Sequence, residues 1–131
     1  MTKLMKTALL ATALKNFFGA VLFVPFLPFF REFYGLPNAV HPLYLWIISS
    51  WIFFFGLCYL WLGLTGRRES LFLVIAAAGK ISFAILMIAY WISGDIPAKA
   101  AAGSLSDLFF GLFFLFYLWQ TRNDEIGVMT K

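Results

Sequence analysis

SLFLVIAAAGKISFAILMIAYWIS, residues 70–93, decides the fold class. The hydrocarbon core of a bilayer is about 30 Å thick, and about 20 mostly apolar residues cross it as a helix. This stretch is long enough and carries one charge, Lys80. Three more stretches, roughly 7–30, 43–64 and 98–121, have the same character. In lipid the backbone must satisfy its own polar groups, so each stretch is predicted to be a helix. None alternates with the period of two that marks a membrane barrel strand. The expected fold is an all-α, membrane-spanning antiparallel four-helix bundle, one domain over residues 1–131.

Composition agrees. Apolar residues make up 63% of the chain and charged ones 12%, against roughly 45–50% and about 25% in soluble domains. A chain this small cannot bury that much apolar surface within itself. The net charge of +4 is gathered at segment ends. It forms no basic stripe, so no nucleic-acid partner is expected.

The breaks carry turn chemistry. Residues 31–42, REFYGLPNAVHP, read as a loop, with His41 a solvated loop residue and Arg31 and Glu32 weakly paired at the surface. Residues 65–70, TGRRES, read as a tight connection with Ser70 as N-cap. Gly94-Asp95-Ile96-Pro97 opens the last helix with a proline in its first turn. Short connections make sequential helices antiparallel neighbours. Lys3, Lys6, Arg67, Arg68, Arg122 and Lys131 fall on one side, and only Arg31 and Lys99 on the other. The positive-inside rule then puts both termini in the cytoplasm. Tyr34, Tyr44, Trp46, Trp61, Tyr90, Trp91, Tyr117 and Trp119 lie near span ends, as an interfacial belt would. Lys3, Lys6 and Ala11-Thr12-Ala13 look like a signal peptide, but Lys15 and Asn16 interrupt the junction, so this segment is read as the start of the first span. Pro25 and Pro28, in VPFLPFF, predict a kink in its outer half.

Lys15, Lys80 and Asp107 lie inside spans, where a charge costs roughly 2.5–3.5 kcal/mol on insertion scales. Small residues share their faces: Ala76, Ala77 and Ala84 with Lys80; Gly103 and Gly111 with Asp107; Ala11, Thr12 and Gly19 with Lys15. Such faces are where membrane helices pack closely, so all three charges are expected to point inward. Phe109, Phe110, Phe113 and Phe114 fall largely off the Asp107 line and read as lipid-facing. At 1.5 Å per residue, the lysines sit about 12–15 Å, and Asp107 about 20 Å, from the cytoplasmic side. With Asn16 they make a candidate polar cluster for a ligand. Side chains lean toward their helix N-terminus, so a direct Lys80–Asp107 bridge requires Lys80 to bend back or a water between them. Other readings stay open. Lys15 can snorkel to the headgroups, Lys80 can be internal glue, and Asp107 can bond Ser104 or nearby backbone.

Cys58 is alone and reads as a small buried hydrophobe. With His41 it cannot fill a zinc site, and no cofactor or metal is expected. Nor is there a His cluster, carboxylate pair or nucleophile set to suggest an enzyme. Gly56 and Gly63 share one face and suit a helix contact within or between chains.

Phe55-Gly56-Leu57-Cys58-Tyr59-Leu60-Trp61, the Arg67-Arg68 turn, Gly79-Lys80 and Asp107-Leu108-Phe109-Phe110 resemble small four-helix bacterial membrane proteins of the DoxX-like kind, over residues 45–120. The resemblance implies a bacterial inner-membrane bundle, often accessory to a larger complex. Small multidrug transporters are alike in length but have a glutamate in the first span, where this chain has Lys15. Short dual-topology fluoride channels favour a weak charge bias, unlike this one. The expected function is a non-enzymatic binding or accessory subunit in contact with membrane lipids. Its inward cluster would hold an anionic or amphipathic ligand or a partner helix, in a homo-oligomer or larger complex. The alternative is a proton- or ion-coupled carrier of small solutes working as an oligomer.

Overall fold

A computed structural model describes residues 1–37 and 39–129. Asn38, in the first loop, and Lys131, in the charge count above, lie outside them. Among the described residues the regular structure is all helical: α1 (Lys3–Leu22), α2 (Pro28–Tyr34), α3 (Pro42–Thr65), α4 (Ser70–Ile92) and α5 (Ala98–Met129). Three helices are long and apolar enough to cross a membrane: α3, α4 and α5 as far as Arg122. The last helix thus continues beyond the expected end at 121. Ser70 is its helix's first residue rather than the N-cap, a position taken by Glu69.

The helix expected over 7–30, with a kink at its prolines, is instead two helices. Residues preceding proline avoid the α region, and Leu27, before Pro28, sits at φ −123°, ψ 61°. The break frees carbonyls at the end of α1, and Arg31 takes them up. Its Nη1 donates to Leu22 O at 3.0 Å and Val24 O at 2.9 Å, and its Nη2 to Pro25 O at 3.4 Å. Arg31 is 3% exposed, so it is a buried staple and not the surface residue the sequence suggested. The staple holds α2 against the end of α1, and α2 itself occupies residues expected to be loop. Gly35 ends α2 at φ 72°, and a Cβ there would lie 2.5 Å from Pro97 Cγ.

Two antiparallel pairs make the body, α1 with α3 and α4 with α5. Glycine sets the spacing in both. A Cβ on Gly63 would lie 2.8 Å from Leu10, and one on Gly56 2.9 Å from the Phe17 ring. The Gly56–Gly63 face is therefore used within the chain. Ser49 Oγ donates to Ala20 O at 2.7 Å, adding a polar tie between α3 and α1. In the other pair, Gly111 brings α5 against Ala77 O, Ile81 and Lys80 Cβ of α4.

The pairs meet in one core at the end that carries the Thr65–Ser70 turn. Met5, Leu9, Tyr59, Leu62, Leu73, Ala77, Phe114 and Tyr117 are buried there. Two of these reverse expectations. Phe114 faces the core because it stands seven residues after Asp107, on the same line as Gly111. Tyr117 is 8% exposed and lies under the Arg68 guanidinium, not in an interfacial belt. Arg68 also donates to Thr121 Oγ1 at 2.8 Å and to Leu118 O at 3.4 Å, locking the turn to α5.

Replacing Arg31 by Met keeps much of the side-chain volume but takes its donors from Leu22 O and Pro25 O at the α1–α2 break, while Val24 O keeps the Leu27 N–H. We expect the protein to lose about 3 kcal/mol, the scale of leaving one or more buried acceptors unmade. A thermal or denaturant melt in detergent micelles reads this directly.

Candidate functional site

Beyond the core the two pairs part, and one ionic cluster ties them together at that level. Asp107 of α5 binds Lys80 Nζ of α4 through Oδ1 at 2.9 Å and Lys15 Nζ of α1 through Oδ2 at 2.6 Å. Asn16 braces the cluster, its Nδ2 donating to Ile52 O at 3.1 Å and its Oδ1 accepting from Lys80 Nζ at 3.5 Å. Lys80 Nζ also lies 5.4 Å from the centre of the Tyr59 ring, in cation–π range. All four polar residues named from the sequence, Lys15, Asn16, Lys80 and Asp107, come together.

The geometry decides the contacts of Lys15, Lys80 and Asp107. Lys15 does not snorkel; it turns inward to Asp107. The Lys80–Asp107 bridge is direct, because Gly111 lets α5 approach until Lys80 Cβ is 3.4 Å from where a Gly111 Cβ would be. That closeness outweighs the opposed lean of the two side chains. Ser104 bonds Ala101 O at 2.6 Å and leaves Asp107 to the lysines.

The small residues divide by role. Gly111 packs tightly, Ala76 and Ala84 are buried on α4, and Gly19 faces Ile52 at 3.3 Å from its would-be Cβ. Gly103 is exposed and lines a cavity, with the Tyr34 ring 3.7 Å from its would-be Cβ. Cys58 is exposed and not buried as expected. Among the described residues no three His, Cys, Asp or Glu gather as a metal site would need.

The cluster forms the floor of a cavity of about 790 Å³. Apart from the four polar residues and Ser104, its walls are mostly apolar, with Phe55, Tyr59, Phe83 and Met87 among them. Phe30 and Tyr34 of α2, with Leu36 beyond it, line the far end. The proline break therefore folds a short helix over the cavity. The sequence names Tyr34 only for an interfacial belt and Tyr59 only within the Phe55–Trp61 stretch, and neither they nor Phe30 are expected at the cavity. Tyr59 had a usable signal, since it lies three residues past Gly56 on the close-packing side of α3.

Burial grades the three charges. Lys80 is 7% exposed, Asp107 14% and Lys15 30%. Removing the shared carboxylate strands the buried Lys80, so Asp107→Asn should cost about 3 kcal/mol, while Lys15→Met, which leaves the Lys80–Asp107 bridge whole, should cost about 1 kcal/mol or less. Lys80→Met combined with Asp107→Asn should cost less than the two single losses summed, because Asp107→Asn alone strands the buried Lys80 ammonium and the double change does not. A double-mutant cycle of chemical denaturation in micelles gives these values.

No protein-family model, no curated protein and no solved structure matches this chain.

Proposed function

We propose that this chain is a four-span protein of the bacterial inner membrane, of the DoxX-like kind, that binds an anionic amphiphile as a non-enzymatic binding or accessory subunit. In this reading α1 is the fourth span. Its 20 residues cover about 30 Å at helical rise, and it lies along α3 throughout. Lys3, Lys6, Arg67, Arg68 and Arg122 gather at one end, which supports cytoplasmic termini.

The observation that carries the ligand is the charge count at the cavity floor. Two ammonium groups share one carboxylate. One positive charge is left over in a site walled by apolar side chains, and an uncompensated charge there is unfavourable. An anion supplied by a ligand head group offsets it, while the apolar walls suit the rest of an amphiphile. Few convergent polar groups in a mostly apolar pocket of roughly 300–1,000 Å³ is the ordinary make-up of a small-molecule site.

Native mass spectrometry of the protein purified in mild detergent tests this. The wild type should carry a co-purifying anionic amphiphile. Lys15→Met, which leaves the buried Lys80–Asp107 bridge in place, and Lys80→Ala should both lose it. A ligand-free wild type that also takes up no added anionic amphiphile would make the cluster internal glue and sink the proposal.

A further inference from the structure

α3 and α4 follow each other through a short turn, yet their backbones hardly approach, unlike those of the α1–α3 and α4–α5 pairs. Near the turn Phe72 bridges them, 5.5 Å from the Phe55 ring and 5.3 Å from the Tyr59 ring, centre to centre. Past Phe72 the gap opens. Its α4 edge is the row Ile75, Gly79 and Phe83, four residues apart and hence stacked on one side of the helix. Its α3 edge includes Trp51. All four residues line the cavity and are exposed. Gly79 stands at the middle of the row, next in sequence to Lys80, and a Cβ there would meet nothing within 4 Å. The slot therefore joins the cavity to whatever surrounds the helices, at the level of the charged floor.

We infer that the slot between α3 and α4 is a lateral portal, through which a single-chain amphiphile with one negative charge passes from the bilayer into the cavity. This rests on the ligand-binding reading above and deepens it. Because α3 and α4 are both apolar enough to cross a membrane, the slot faces lipid and not water. Its occupant must partition into lipid, which excludes small water-soluble anions. One head-group charge matches the one excess positive charge. From the charged floor at Lys80 the cavity extends along α4 to Met87, about 10 Å at helical rise, which suits an alkyl chain of medium length. A longer tail can remain in the slot between Trp51 and Gly79. Lys15, the most exposed of the three charges, is the group that turns to meet the head.

The test places a plug in the slot. Gly79→Phe puts a ring into open space, and the change is compatible with the fold because glycine is itself unfavourable inside a helix. Ala78→Phe adds the same ring one residue earlier, at an exposed position that does not line the cavity. Wild type and both variants are placed in lipid nanodiscs and mixed with lauric acid or with a lysophosphatidylglycerol. Bound probe is followed against time by native mass spectrometry. The two probes separate a free carboxylate head from a phosphodiester one, and uptake of either counts as binding.

Uptake by Gly79→Phe should be slower by about tenfold or more, as when association has to wait for a conformational change. Ala78→Phe should match the wild type. Equal uptake by Gly79→Phe and the wild type would overturn the portal and leave the binding reading standing. No uptake of either probe by the wild type would overturn both.

Discussion

Asp107 accepts from Lys15 of α1 and Lys80 of α4, so one carboxylate on α5 ties the α1–α3 pair to the α4–α5 pair at the level where they part. Below that level, aromatic and aliphatic packing around Tyr59 and Phe114 holds the pairs together. Above it they diverge around the cavity. Buried ions of this kind are held less for net stability than because removing one partner is so unfavourable. The same constraint explains the small residues. Gly111 brings α5 close enough to α4 for Asp107 to reach Lys80, and Gly56 and Gly63 seat α1 on α3, which brings Lys15 and Asn16 to the same level.

The prolines of the first segment serve the other end of the cavity. A continuous helix over residues 7–30 would run past the cavity without closing it. Breaking it at Pro25 and Pro28 turns the chain back, and Arg31 saturates the carbonyls that the break exposes. The resulting α2 presents Phe30 and Tyr34 to the cavity. A charged floor, an apolar wall and an aromatic cover thus arise from three local rules: a buried charge seeks a partner, glycine permits close approach, and proline ends a helix.

Much of this was legible in the residues themselves. The apolar runs predict α3, α4 and the start of α5 to within a residue, because length and hydropathy decide such spans, whereas α5 continues to Met129, past the expected end at 121. The helical spacing of Ala76, Ala84, Gly103 and Gly111 points Lys80 and Asp107 inward, but their opposed lean argues against the direct bridge, which depends on the close approach at Gly111. In the first segment Pro25 and Pro28 predict a kink, but hydropathy that is continuous across them does not show that the helix breaks in two, which follows from the backbone geometry that Pro28 forbids at Leu27. Arg31 looked like a surface charge for a related reason. Its partners are backbone carbonyls, which leave no mark in a sequence. Phe114 was assigned to lipid by residue type, although its spacing from Asp107 already placed it on the inner line. The cavity itself was out of reach, since it depends on how far α3 and α4 splay, and splay is a property of packed pairs and not of any one segment.

A single carboxylate shared by two amines leaves one positive charge for a ligand. Solid-state NMR in lipid bilayers can measure the dipolar couplings between the Lys Nζ nitrogens and the Asp107 carboxyl carbon, with isotopic labels at those sites. Both Lys15 and Lys80 should lie within hydrogen-bonding reach of that carboxyl, about 4 Å from nitrogen to carbon. Coupling to Lys80 alone, with Lys15 out at the headgroups, would contradict it, because the cluster would then be a neutral pair with no excess charge to draw an anion.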